Sequence, residues 1–96
     1  MDVELQESAQ QWAEYMARKN RLKHDDLHHS RFGYLGENIA CGQGSVKEVM
    51  EDWMQSKGHR ENILNSDYTH IGVGIVQNGE VFWCVKFGGQ PLPSKH

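Results

Sequence analysis

Ile71-Gly72-Val73-Gly74-Ile75-Val76-Gln77, then Asn78-Gly79, then Glu80-Val81-Phe82-Trp83-Cys84-Val85-Lys86-Phe87 is the stretch whose reading decides the fold. In the first run Ile71, Val73 and Ile75 alternate with glycine or small residues. In the second, Val81, Trp83, Val85 and Phe87 alternate with Phe82, Cys84 and Lys86. A period of two places successive side chains on opposite faces of a strand. Asn-Gly between two such runs is a favoured two-residue hairpin turn. Gly72 and Gly74 leave one face of the first strand bare, which predicts close packing of another element there.

Working outward from the hairpin, residues 2–20 carry Leu5, Ala9, Trp12, Ala13, Met16 and Ala17 at helical spacing, with Asn20 as the stop. His24 to Tyr34 is polar and irregular, and its Asp25-Asp26 pair reads as solvated loop. Leu35 to Cys41 reads as a short buried extended segment, ended by the turn Gly42-Gln43-Gly44. Ser45-Val46-Lys47-Glu48 matches a capping box. The helix that follows sets Val46, Val49, Met50, Trp53 and Met54 on one stripe, with Met50 and Trp53 in the core and Gly58 as its end. Arg60 to Leu64 adds one helical turn, and Asn65-Ser66-Asp67 a chain turn. Gly88 to His96, with two prolines, reads as a tail on the surface. Residues 1–90 make one domain and 91–96 a C-terminal tail. Helix, extended segment, helix and hairpin in that order predict an α+β fold, an antiparallel sheet with helices packed on it. Trp12 and Trp53 are the expected anchors.

Ninety-six residues suit one small core. A net charge of −3, well mixed along the chain, supplies no basic stripe for phosphates, so nucleic acid is not an expected partner. No apolar run approaches the roughly 18 residues of a membrane span, and no signal peptide stands in this chain. Cys41 and Cys84 share no metal or redox spacing. They are compatible with one disulfide, which would stabilise by roughly 3–5 kcal/mol, or with two core thiols.

Two titratable residues stand in apolar context. Glu37 lies within Gly36-Glu37-Asn38-Ile39-Ala40, and His59 lies just past an amphipathic helix. Burying either without a partner costs free energy, so both are candidate site residues. Two imidazoles and a carboxylate around an open position make a workable zinc site; without metal the same groups make a polar network. The plainer readings are a turn carboxylate for Glu37, a helix-end cap for His59 and solvated histidines at 24 and 29. Asn38 is expected to satisfy backbone, Arg60, Glu61 and Asn62 to stitch their turn to its neighbours, and His70 to lie on the surface.

Gly36-Glu37-Asn38-Ile39-Ala40, the run Trp53…Ser56-Lys57-Gly58-His59-Arg60-Glu61-Asn62-Ile63-Leu64 and the strand Ile71-Gly72-Val73-Gly74 together resemble the CAP superfamily. That group, also called SCP-like, takes in cysteine-rich secretory proteins, antigen 5 and pathogenesis-related 1 proteins. The likeness is to its compact bacterial-type members and covers roughly residues 5–88. The resemblance implies an α-β-α sandwich with a central antiparallel sheet and a cleft of two histidines and two glutamates able to hold zinc or another divalent metal. Carried over by motif, Glu37 matches the first cleft glutamate and His59 the second histidine. His24 fits the first histidine, with His29, followed by Ser30, as its rival. Two departures stand out: Ser56 occupies the place of the second glutamate, and the family's opening helix with a His-Asn-x-x-Arg motif is lacking. The second departure makes the fold a truncated one and predicts an uncovered face through which two copies could dimerise.

The function the resemblance implies is that of a secreted, non-enzymatic binding module whose cleft takes a divalent metal, a lipid or sterol, or a protein partner. The alternative is a metal-dependent or serine-type hydrolase with Glu37 and His59 as acid/base pair and Ser56 or Ser30 as nucleophile. A third possibility is a scaffold whose polar cluster is only structural.

Overall fold

The computed structural model describes residues 1–26 and 32–91. The elements run α1 (Val3–Lys19), β1 (Phe32–Cys41), α2 (Val46–Met54), α3 (Lys57–Leu64), β2 (His70–Asn78) and β3 (Glu80–Pro91). The three strands form one antiparallel sheet in the order β1-β3-β2. Helix α1 covers one face, and α2 with α3 partly covers the other, so the α+β sandwich stands.

Local chemistry sets the ends of the elements. Asp2 caps α1, its Oδ1 accepting from Leu5 N at 3.0 Å, and Asn20 closes it in the left-handed region at φ 51°. Ser45 caps α2 through Glu48 N at 3.1 Å. The return arm of that box falls one residue early, Glu48 Oε1 accepting from Gly44 N at 2.9 Å. The hairpin falls at Asn78-Gly79, with Gly79 at φ 77° and Asn78 paired with Glu80. Asn78 also donates to the Ala17 carbonyl at the end of α1.

The bare face of β2 serves the predicted purpose. A Cβ on Gly72 would fall inside the Leu5–Gln6 backbone, and one on Gly74 would lie 2.6 Å from Gln10 Cα. Helix α1 therefore rests its backbone on the strand. Ala9, Ala13, Met16, Ile39, Phe82 and Cys84 form the core on this side. Ala40, Val49, Trp53, Trp83, Val85 and Phe87 form the core on the other. Trp12 is half-buried against the α1-side core, and its indole donates to the Lys23 carbonyl at 2.7 Å, holding the segment after α1. Cys41 and Cys84 are free thiols on diagonal positions of β1 and β3.

Both outer strands end their hydrogen-bonding rows on side chains. Along β2, Gln6 donates to Val73 O and accepts from Val73 N, at 2.6 and 2.9 Å. Gln10 does the same for Ile75 at 3.4 and 3.1 Å, and Asp2 N donates to Ile71 O. Along β1, the carbonyls of Leu35, Glu37 and Ile39 accept from Tyr68, Asn62 and Trp53.

Four expectations are corrected. Helix α2 ends at Met54, and Gly58 lies inside α3, whose N-cap is Ser56. Residues 88–91 are not tail: β3 continues to Pro91, pairing Gly88 and Gly89 with Leu35 and Tyr34, while 92–96 lie outside the described residues. Gly89 is needed there because a Cβ would strike the Asp67 carbonyl. Met50 is 36% exposed, because no element among the described residues covers the outer side of β2 opposite it. His70 is half-buried, its ring 5.0 Å from that of Phe32.

Candidate functional site

Glu37 sits in β1 directly opposite Lys86 of β3, on the sheet face that α1 covers. Its side chain is 1% exposed and that of Lys86 4%. Glu37 Oε1 lies 2.7 Å from His24 Nδ1 and accepts from the Asp25 amide at 3.0 Å. Glu37 Oε2 lies 3.8 Å from Lys86 Nζ and 3.8 Å from Cys84 Sγ. The Lys86 ammonium donates to Asp25 Oδ2 at 2.5 Å and to Ser8 Oγ at 2.7 Å. Asp25 is thus not solvated loop; it closes on a lysine 61 residues away.

His59 belongs to a separate arrangement at the outer edge of β1. Its Nδ1 lies 3.0 Å from Ser56 Oγ, and its ring centroid is 6.3 Å from that of Trp53. Burial, and secondly the charge of His24, hold its imidazole below the ordinary histidine value. A cleft of about 260 Å³ opens here, lined by Leu22, Ile39, Cys41, Gln43, Asp52, Trp53, Ser56 and His59. Among the described residues, Gln43 Oε1 is buried in it without a hydrogen-bond partner, while Gln43 Nε2 donates to Asp52. Burial, then Glu80, push the Cys41 thiol up to about 11; burial also pushes Cys84 up, with Glu37 second. Neither thiol is a ready nucleophile.

Of the predicted site residues, His24 and Glu37 meet, and Ser56 and His59 meet. The two pairs are not hydrogen-bonded to each other. His29 and Ser30 lie outside the described residues. Asn38, fully buried, donates to the His59 carbonyl and accepts from Asn62, so it ties β1 to α3 as expected. Among the described residues no group of three or more His, Cys, Asp or Glu is gathered to hold a metal ion. The chemistry explains why: Glu37 Oε1 is taken by an imidazole and an amide, and an ammonium stands beside Oε2. As folded, this donor set does not fit a divalent ion.

Sequence reasoning missed Lys86 and Ser8. The signal was present for Lys86, which shares strand parity with Phe82 and Cys84 and so must point into the α1 side. It also missed an apolar groove of about 250 Å³ on the other face. Val46, Met50 and Trp53 of α2, Ile63 of α3, Ile71, Val73 and Ile75 of β2 and Trp83, Val85 and Phe87 of β3 line it. Ile71, Ile75, Val46 and Met50 are 38%, 44%, 63% and 36% exposed. No helix among the described residues is long and apolar enough to cross a membrane.

Residues 1–87 match the family model of the cysteine-rich secretory protein family, CAP. The chain belongs to the CAP family. A Bacillus subtilis relative, YkwD, is 40% identical over 101 residues, taking in 94% of this chain and 39% of YkwD. The B. subtilis membrane protein YlbC is 44% identical over 61 residues, 64% of this chain and 17% of YlbC. The chain therefore spans well under half the length of these curated relatives. Among solved structures, an extracellular protein of Bacillus anthracis with an SCP domain superposes with a TM-score of 0.80 at 26% identity, over 93% of this chain and 33% of that one. An outer surface protein of Borrelia burgdorferi superposes with a TM-score of 0.82 at 21% identity, over 93% of this chain and 75% of that one. The CAP fold is thereby shown, and the site geometry is this chain's own.

Proposed function

We propose that this CAP domain is a non-enzymatic binding module whose ligand contact is the apolar groove, taking a single alkyl chain of a lipid. The observation that carries this reading is the groove itself: about 250 Å³ between α2, α3 and β2, walled by side chains without a polar atom among Val46, Met50, Ile63, Ile71, Val73, Ile75, Val85 and Phe87. Its volume lies below the roughly 300 Å³ at which pockets for drug-sized ligands begin, which favours an unbranched chain over a fused-ring sterol. An extracellular site of action is part of the proposal, supported by the B. anthracis SCP-domain protein being named as extracellular. Among the described residues no carboxylate is bonded to the second imidazole nitrogen of the Ser56–His59 pair, so the binding module is favoured over the hydrolase.

A series of n-alkyl carboxylates, measured by displacement of a fluorescent fatty acid, tests the proposal. Affinity should rise about fourfold per added methylene, from roughly 0.8 kcal/mol of transfer each, and level off once the groove is full. Ile75→Glu, at an exposed position, should cut binding tenfold or more without loss of fold. Binding without chain-length dependence, or unchanged by Ile75→Glu, refutes it. Concentration-dependent dimerisation abolished by Ile75→Glu would instead assign the groove to a second copy.

A further inference from the structure

We infer that the Lys86 ammonium is the resident cation of the Glu37 cluster, standing where a divalent ion bound to Glu37 and Asp25 would have to sit. Four observations converge on it. Lys86 Nζ lies 2.5 Å from Asp25 Oδ2 and 3.8 Å from Glu37 Oε2, so it bridges two carboxylates from different parts of the chain. Its third contact is the Ser8 hydroxyl of α1 at 2.7 Å. Its side chain is 4% exposed and that of Glu37 1%, so each charge depends on the other for compensation in a place water reaches poorly. The cross-strand register sets Lys86 directly opposite Glu37, which fixes the ammonium through the sheet rather than through a mobile loop.

An ammonium and a divalent ion compete for the same oxygens. With Lys86 in place, a metal approaching Glu37 Oε2 meets a like charge, and Oε1 is committed to His24 and the Asp25 amide. The cluster is thus metal-independent, and Lys86 acts as a positioning residue: it holds Asp25, and with it His24, against Glu37 in the middle of β1. Charge balance in the cluster comes from Lys86 of β3. This inference does not rest on the groove and is tested apart from it.

Shortening Lys86 should uncover the site it fills. Lys86→Ala leaves Glu37, Asp25 and Ser8 around a vacated cation position. Its melting temperature should fall, then recover by about 5 °C or more with millimolar manganese or ethylammonium. The recovery should vanish in Lys86→Ala/Glu37→Gln, and the unaltered protein should show none. A Glu37-dependent metal stabilisation of the unaltered protein overturns the inference, as does a folded Lys86→Ala variant that responds to neither ion. If Lys86→Ala does not fold, lysine-ammonium proton–nitrogen correlation spectra of the unaltered protein decide it. One exchange-protected ammonium, missing in Lys86→Arg and unmoved by one equivalent of zinc, is the expected result. A cluster with no protected ammonium, or one whose signal zinc displaces, refutes it.

Discussion

Replacing Gly74 with alanine tests the contact on which the α1 side of the fold is built. The new Cβ would lie 2.6 Å from Gln10 Cα, with the Ala9 backbone also in its way. Carbon atoms settle at about 3.5–4.0 Å, so α1 must withdraw by roughly 1 Å. No flexible side chain can give way, because the obstructing atoms are helix backbone. Overpacking of this kind costs about 1–3 kcal/mol. The same withdrawal stretches the Gln10 bonds to Ile75, already 3.1 and 3.4 Å, and strains those of Gln6 to Val73. Losing two of these adds about 2 kcal/mol. The sum, roughly 3–5 kcal/mol, is a large part of the about 5–14 kcal/mol expected for a chain of this length. In urea unfolding with a slope near 1.5 kcal/mol/M, the midpoint should drop by about 2–3 M. Gly58→Ala is the matched control: a Cβ there meets nothing within 4 Å inside α3, so the change should stabilise by about 0.5–1 kcal/mol. A Gly74→Ala midpoint close to that of the parent, with Gly58→Ala behaving as expected, would refute the close-packing argument.

Three further outcomes can be measured directly. Cys41, pushed up to about 11 from 9.0, should react with a disulfide reagent at pH 8 about 100-fold more slowly in the folded protein than a free thiol, and both cysteines should titrate at once on unfolding. Because His59 is held below its ordinary 6.5, the unfolded chain binds a proton there that the folded one refuses. Its contribution is therefore complete above about pH 6.5 and declines as pH falls toward the folded value, and His59→Gln should flatten that slope in urea midpoints across the range. Gln6→Ala and Gln10→Ala should each cost about 1–2 kcal/mol by releasing the Val73 or Ile75 backbone, and should hasten thioflavin-positive aggregation; unchanged aggregation would argue that these glutamines are ornamental.

Periodicity made α1, the hairpin and the stripe on α2 legible, since each is a local pattern whose buried face repeats at a fixed spacing. The caps at Asn20 and Ser45 were readable for the same reason. Gly58 misled because glycine is common just past helix ends, whereas here Ser56 restarts the chain as α3 and the glycine falls in its first turn. The continuation of β3 past Gly88 was hidden by Gly89 and Pro91, which read as breakers until the Asp67 carbonyl is seen to need the missing Cβ. At the site, Glu37 stood out as a carboxylate among apolar neighbours, and its meeting with His24 followed. Asp25 and Lys86 could not be joined from sequence, being 61 residues apart and brought together only because Glu37 pairs with Lys86 across the sheet and binds the Asp25 amide. The groove escaped for a different reason: Met50 and Ile75 carry ordinary core residue types, and only the absence of a covering element among the described residues makes them exposed.

The side-chain closures along β1 and β2 bear on how such a domain is recognised. With the outward amides and carbonyls of Val73 and Ile75 on β2 engaged by glutamines, and the carbonyls of Leu35, Glu37 and Ile39 on β1 engaged by side chains, a neighbouring polypeptide finds few open carbonyls to zip onto. A partner that docks over these stretches reads side-chain surface, so its selectivity can be retuned one residue at a time without disturbing the sheet.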